Sequence, residues 1–328
     1  MKAPGLGEFG RIREFFAPLA GPGALGLVDD AALVDCPAGH RLVVTVDQAV
    51  EGVHFLPDDP PEGVAKKLLR RNLSDLAAMG ARPRHYLLTT ALPASRDDDW
   101  VRRFAGGLGE DQRNYGISLL GGDSTSTPGP ATLTLTAIGD VVAGRETRRS
   151  GAKPGDRVWV SGTIGDAYLG LKVLRGDKAF VGLGADHGKA LAARYRLPEP
   201  RMELGLRLAG IADAVIDVSD GLVADLGHIC ETSNLAAIVE LEALPLSAAA
   251  QAIVALEPGI APQLAAGGDD YELLFTAPAE AAEDIRLIGS RLGLPITRIG
   301  RIEAGANVRL IDPRGETIPV NVAGYRHF

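Results

Sequence analysis

Hydrophobic and polar positions along this chain alternate between a helical and a strand period. Over VAKKLLRRNLSDLAAMG, residues 64–80, Ala65, Leu68, Leu69, Leu76 and Met79 recur at helical spacing, Gly80 suits a C-terminal stop and Pro83 lies just beyond. Asn72 and Asp75, three residues apart, share one face of that helix among apolar neighbours. RLVVTVD, HYLLTTAL, ISLLGGD and ATLTLTAIGDVV read as strands, and DDDWVRRFAGGLGEDQRNYG reads as a helix with acidic residues at its positive N-terminal end. A short helix over residues 8–20 and a strand over LVDDAALV are expected ahead of them. In the second half RVWVSG, DAVIDVSD, AAIVEL, DYELLFT, PITRIG and NVRLID read as strands interleaved with helices. The pattern predicts an α/β (α+β) protein. The Gly, Pro and charge content of GRETRRSGAKPGD, residues 144–156, predicts a boundary between domains 1–145 and 146–328.

Composition narrows the function. A chain of 328 residues with 46% hydrophobic residues buries a large core, and its net charge of −8 offers no concentrated basic face for a nucleic acid. Cys36 and Cys230 fall in no CxxC or Cys/His zinc spacing, which argues against a disulfide framework or structural zinc and for a reducing compartment. MKAPGLGEFGRIREFF lacks the apolar core of a signal peptide, and no stretch approaches the about 18 apolar residues of a membrane helix. A cytoplasmic enzyme without membrane attachment is the expectation. Trp100 and Trp159 read as packing residues.

The chemistry lies in the aspartates. In AVIDVSDGLVADL, residues 214–226, Ser219 or Asp220 can cap the helix that starts near Gly221, but Asp217 prolongs an apolar strand where an uncompensated carboxylate is costly. Asp29 and Asp30, Asp47, Asp75, Asp123, Asp217 and Asp220 mostly sit where strands stop. Singly these are turn and cap residues. Together, without cysteine or paired histidine, they make an oxygen-rich set suited to Mg²⁺, which completes its shell with substrate phosphates.

Familiar nucleotide motifs are absent: there is no GxxxxGK[ST] and no protein-kinase HRD or DFG set. GPGALG at 21–26 matches GxGxxG but precedes a strand, the wrong context for a dinucleotide fold. GGDSTST at 121–127 lets backbone N–H groups approach an anion while Asp123 ligates metal. Arg149 and Lys153 are either phosphate ligands or solvated linker residues.

GEF, DDAAL, TVDQAVEGVHF, NLSDLAAMGARP, GGDST, RSGAKPGDRVWVSGTIGDA, DVSDGLVADLGHI and GGDDYELLF, in this order, resemble the thiamine-monophosphate kinase family over nearly the whole chain. That family lies in a superfamily with aminoimidazole ribonucleotide synthetase and selenophosphate synthetase. The resemblance implies a two-domain aminoimidazole ribonucleotide synthetase-like fold, an N-terminal mixed sheet pairing across a homodimer and a C-terminal α/β domain. It implies γ-phosphoryl transfer from ATP to thiamine monophosphate, with several Mg²⁺ ions. By position, Asp30, Asp47, Asp75, Asp123, Asp217 and Asp220 would hold Mg²⁺ with Thr45 and the Val46 backbone nearby. Gly122, Asp123, Arg149 and Ser219 would contact ATP, and His54, Asp269 and Tyr325 would line the thiamine monophosphate pocket.

The chain departs from the family pattern at Val28, where Gly is usual, at Val46 and Ser124, where Thr is common, and at Asp269, where Glu is usual. Asp225 and His228 read as structural helix residues. Two alternatives stand beside the kinase: a related ATP-dependent synthetase, and a non-catalytic thiamine-phosphate or nucleotide binding protein. The reactive N-terminal Cys or selenocysteine usual in selenophosphate synthetases is absent before Asp30. Binding alone would not require so many metal carboxylates.

Overall fold

The computed structural model describes residues 6–177 and 184–319. The chain divides into two compact units after Gly144, with the stretch Ala77–Gly80 grouped with the second.

The first unit opens with α1 (Glu8–Arg11), which tightens into a π turn (Ile12–Phe16) and a 3-10 turn (Ala17–Leu19). The regular helix expected over 8–20 is therefore three successive turn types, since Pro18 has no N–H for an α-helical bond. The strand expected over LVDDAALV is also absent: Leu27 takes φ +59, and these residues pair with no neighbouring strand. Then follow β1 (His40–Val50), α2 (Pro61–Ala78), β2 (Arg82–Leu92), α3 (Asp98–Tyr115), β3 (Ser118–Ser126) and β4 (Thr132–Val142). The sheet order is β1-β4-β2-β3, antiparallel at β1/β4 and β4/β2 and parallel at β2/β3. A parallel pair needs a crossover, and α3 supplies it.

Sequence explains both helices. In α2, Ala65, Leu68, Leu69 and Leu76 are at most 1% exposed, so its apolar stripe is core. In α3 the Asp97 carboxylate accepts from the Trp100 amide at 3.1 Å, and Gly116 in the left-handed region ends the helix. Trp100 stacks on Phe104 with ring centroids 5.2 Å apart, a packing role.

The second unit contains β5 (Arg157–Ser161), α4 (Asp166–Leu174), α5 (Ala185–Arg196), α6 (Met202–Leu208), β6 (Ala214–Asp217), α7 (Leu222–Ser233) and β7 (Ala236–Glu240). It continues with α8 (Ala248–Leu256), α9 (Ala261–Ala266), β8 (Leu273–Ala277), α10 (Ala282–Leu292), β9 (Ile296–Glu303) and β10 (Asn307–Ile311). The order is β10-β7-β9-β5-β8-β6, with β10/β7 parallel and the other pairs antiparallel. Val160, Ile216, Leu226, Val239, Leu274 and Ile299 form the centre of its core. The expected strand DYELLFT begins only at Leu273, because Asp269 and Tyr271 adopt positive φ and hold the preceding residues out of the ladder. No helix among the described residues is long and apolar enough to cross a membrane.

Candidate active site

In the first unit, a cavity of about 560 Å³ gathers Asp29 and Asp30 from the loop before β1 with Gly122, Asp123 and Ser124 from β3. Leu88, Leu119 and Ile138 form part of its apolar wall. Asp30 and Asp123, read from sequence as metal ligands, and Gly122, read as an ATP contact, thus share one concavity. Among the described residues, the lining holds no Lys, Arg or His. GPGALG forms no dinucleotide fingerprint but contributes Ala24 to the wall.

Gly122 is required by close approach. A Cβ built there would lie 1.7 Å from the Leu88 carbonyl oxygen on β2, so no other residue fits without moving the paired strands. Asp123 accepts the Ser124 amide at 2.9 Å through Oδ1. The Thr90 hydroxyl donates to Ser124 Oγ at 3.0 Å, so the Ser at 124 keeps a hydroxyl that the sheet uses.

A second group lies between β1 and α2. Alternation places Thr45 and Asp47 on one face of β1 and Val46 on the other. The Thr45 hydroxyl donates to Asp75 Oδ2 at 2.6 Å, and Arg71, one helical turn before Asp75, reaches Asp47 at 3.3 Å. Val46 is 60% exposed, so its side chain makes no site wall. His54 sits in the turn after β1. Its Nδ1 accepts the Val50 amide at 3.1 Å and its carbonyl accepts from Lys67 at 3.1 Å. That bond places the ring proton on Nε2. His54 does not line the cavity of Asp30 and Asp123.

In the second unit, Asp217 ends β6 and is 3% exposed. The helix that follows is not capped by Ser219 or Asp220. Its N-cap is Gly221, and Asp225 in the first turn reaches back to accept the amides of Ser219, Asp220 and Gly221 at 3.0, 3.1 and 3.0 Å. Burial, followed by the charge of Asp220, pushes the Asp225 carboxyl up to about 7 against the pull of those amides. Asp220, Asp225 and His228 offer ligand atoms that lie within 4.8 Å of one another. His228 is exposed and also meets Glu231 at 3.4 Å; it is not a packed structural residue as its helix position suggested.

Ser219 and Asp269 meet through the backbone: the Asp269 amide donates to the Ser219 carbonyl at 2.8 Å. Arg149 is exposed, with its carbonyl accepting from Thr232 at 3.1 Å. Tyr325 lies outside the described residues.

Residues 28–141 match AIR synthase related protein, N-terminal domain, and residues 153–313 match AIR synthase related protein, C-terminal domain. The chain is 42% identical over 306 residues to the thiamine-monophosphate kinase of Caulobacter vibrioides, covering 92% of this chain and 85% of that protein. The chain belongs to the thiamine-monophosphate kinase family. Among solved members, the thiamine-monophosphate kinase of Stenotrophomonas maltophilia K279a is 41% identical, with a TM-score of 0.81 over 89% of this chain and 91% of that one. AaThiL complexed with AMPPCP and TMP is 31% identical, with a TM-score of 0.79 over 100% of both chains. The two-domain α/β architecture expected from sequence is that of this family.

Within each unit, several residues near the candidate positions carried no signal in the sequence. Asp225 is structural, as its helix position suggests, and its role is specific: it fixes the loop that carries Ser219 and Asp220. Asp270 and Glu272 lie in GGDDYELLF, just ahead of the apolar run that forms β8. Asp270 accepts the Gly165 and Ala167 amides at 2.6 and 3.1 Å at the start of α4, and burial pushes its carboxyl up to about 8. Arg71 had no signal of its own, since a basic residue on an amphipathic helix ordinarily faces solvent.

Proposed function

We propose that this protein transfers the γ-phosphoryl group of ATP directly to thiamine monophosphate, giving thiamine diphosphate and ADP. The observation that carries this reading is the gathering of Asp30, Gly122 and Asp123 on one cavity, in a chain whose solved relative AaThiL is complexed with AMPPCP and TMP, the abbreviation of thiamine monophosphate.

The donor set fits Mg²⁺. Its candidate ligands are carboxylates and a hydroxyl, hard oxygen donors, with no thiolate among them. Asp30, Asp47, Asp75 and Asp123 from the first unit and Asp217 and Asp220 from the second are the proposed holders of several Mg²⁺ ions, with Thr45 and the Val46 carbonyl beside them. When bound, Mg²⁺ supplies charge neutralisation for two polyanions brought together. The acceptor is a phosphate oxygen already largely ionised at neutral pH, so the site needs alignment more than a general base. Gly122 lets the β3 backbone approach the nucleotide phosphates. Ser219 and Arg149 are assigned to ATP, and His54, Asp269 and Tyr325 to thiamine monophosphate. The carboxylate of Asp269 is complementary to the cationic heteroaromatic part of that substrate.

Residues 1–145 form the proposed nucleotide, metal and dimerisation domain, and residues 146–328 complete the nucleotide and substrate machinery. A homodimer pairing through the first unit's sheet is supported by β1, an eleven-residue edge strand on which Leu42, Val44 and Val46 are 41%, 61% and 60% exposed. An open edge strand of that length with an apolar stripe exposed on one face calls for a covering partner. The cytoplasm is the proposed location.

The test is an incubation of the purified protein with Mg-ATP and thiamine monophosphate, with thiamine and aminoimidazole precursors in parallel. Thiamine diphosphate should form from thiamine monophosphate alone and cease on adding EDTA. A folded protein that makes none, or makes it without divalent metal, rules the proposal out.

A further inference from the structure

In GGDDYELLF, residues 267–275, alternate side chains are anchored inside the second unit. Asp270 takes the two amides at the start of α4. Glu272, fully buried, accepts from the Ser161 hydroxyl at 2.6 Å, from Arg194 at 2.9 Å and from Arg201 Nε and Nη2 at 2.6 and 2.5 Å. The intervening residues, Asp269 and Tyr271, take φ +70 and +52, a region that non-glycine residues enter only when their surroundings over-determine it. The backbone is pinned on both sides: the Asp269 amide to Ser219, the Tyr271 amide to Val218 and the Val218 amide to the Glu272 carbonyl, at 2.8, 2.8 and 2.9 Å.

This alternation turns two side chains toward each other. The Tyr271 hydroxyl donates to Asp269 Oδ1 at 3.1 Å, while its ring is 3% exposed and held by packing. A buried, rigid donor fixes one oxygen of the carboxylate and so the direction in which the group faces.

We propose that Tyr271 is a positioning residue for thiamine monophosphate, its hydroxyl orienting the Asp269 carboxylate toward the cationic part of the substrate. This rests on the assignment of Asp269 to the substrate made above. Tyr271 acts through Asp269 and takes no part in phosphoryl transfer.

The experiment is a double-mutant cycle on the full chain with Tyr271→Phe, Asp269→Asn and the double variant, reading KM for thiamine monophosphate, KM for ATP and kcat, with thermal melting of each. Tyr271→Phe keeps the ring and its packing. It should raise KM for thiamine monophosphate about tenfold, the loss expected for a hydrogen bond to a charged group, leaving KM for ATP and kcat within about twofold. In the Asp269→Asn background it should add little. Independent, multiplicative effects of the two substitutions overturn the positioning role while leaving Asp269 as a substrate contact. An Asp269→Asn variant with unchanged KM overturns the substrate assignment itself, and this inference with it. A Tyr271→Phe variant that loses melting temperature and kcat alone shows a structural tyrosine and refutes the proposal.

Discussion

The hydroxyl of Thr45 on β1 donates to Asp75 Oδ2 on α2 at 2.6 Å, joining two elements whose residues are thirty positions apart in sequence. A charge-assisted bond of this length orients the carboxylate before any ligand arrives. Thr45→Val keeps the shape and deletes the donor. Its kcat/KM should fall about tenfold, roughly 1.4 kcal/mol, with a higher Mg²⁺ concentration needed for half-maximal rate. Asp75→Asn should lose far more. A Mg²⁺ titration of the steady-state rate for Thr45→Val that overlays on the wild type would show that the bond has no functional part.

Asp140 on β4 provides the pH prediction. Burial raises its carboxyl, but hydrogen bonds from Arg84 and His40 outweigh that effect and hold it below the usual carboxylate value. A carboxylate whose folded pKa is depressed contributes stability that is fully present above its unfolded pKa of about 3.9, and that contribution disappears as pH falls through the folded value. Wild-type stability should therefore decline below about pH 4 more steeply than that of Asp140→Asn. At pH 7 the variant should be less stable by about 1–2 kcal/mol, a figure reduced for the solvent exposure of Arg84. Urea unfolding from pH 3 to pH 7 measures both slopes; parallel curves would remove Asp140 from the acid-sensitive set.

Asp225 carries a prediction about its loop. One oxygen accepts three consecutive amides, from Ser219, Asp220 and Gly221. Asp225→Ala leaves all three without this acceptor, Gly221 buried and Ser219 and Asp220 half-buried, and should cost about 2–4 kcal/mol, whereas Asp225→Asn keeps an oxygen and should cost less. Thermal melting ranks the two. Hydrogen exchange at 219–221 should accelerate locally in the Ala variant; unchanged exchange there would mean that the loop is held by other contacts.

These residues also mark what the sequence made legible. Period and turn chemistry located α2 and α3 because each buries one stripe, as Leu68, Leu69 and Leu76 do on α2, and located β1 by its alternation although that strand leaves Leu42, Val44 and Val46 exposed. Carboxylates read as strand-end residues pointed to Asp30 and Asp123, which share a cavity, although Asp123 lies inside β3 and Asp30 in a loop that adjoins no strand. The pattern failed where backbone conformation broke a period: Leu27 at φ +59 interrupts the strand expected over residues 27–34, and Tyr271 at φ +52 delays β8. No propensity rule predicts a positive φ for Leu or Tyr, because tertiary contacts impose it. Asp225 was overlooked for a related reason. Its contacts run backward from the helix to the loop, opposite to the usual cap in which the loop residue supplies the acceptor.

The neighbouring glycines of β3 separate steric need from mere composition. At Gly122 an added Cβ would meet the Leu88 carbonyl oxygen at 1.7 Å, and the Leu88 carbon at 2.7 Å, so β2 and β3 must separate to admit it. At Gly121 the nearest atom to an added Cβ is the flexible Leu87 Cδ2, at 3.7 Å, an ordinary contact. Gly122→Ala should therefore disrupt the parallel ladder beside Asp123 and cost about 3 kcal/mol or more, with nucleotide binding lost in whatever fraction remains folded. Gly121→Ala should change stability by less than about 1 kcal/mol and keep binding. Melting temperature and equilibrium binding of a non-hydrolysable ATP analogue distinguish the two positions. Equal tolerance at both would mean that β3 shifts freely, and that Gly122 contributes no close backbone approach to the cavity.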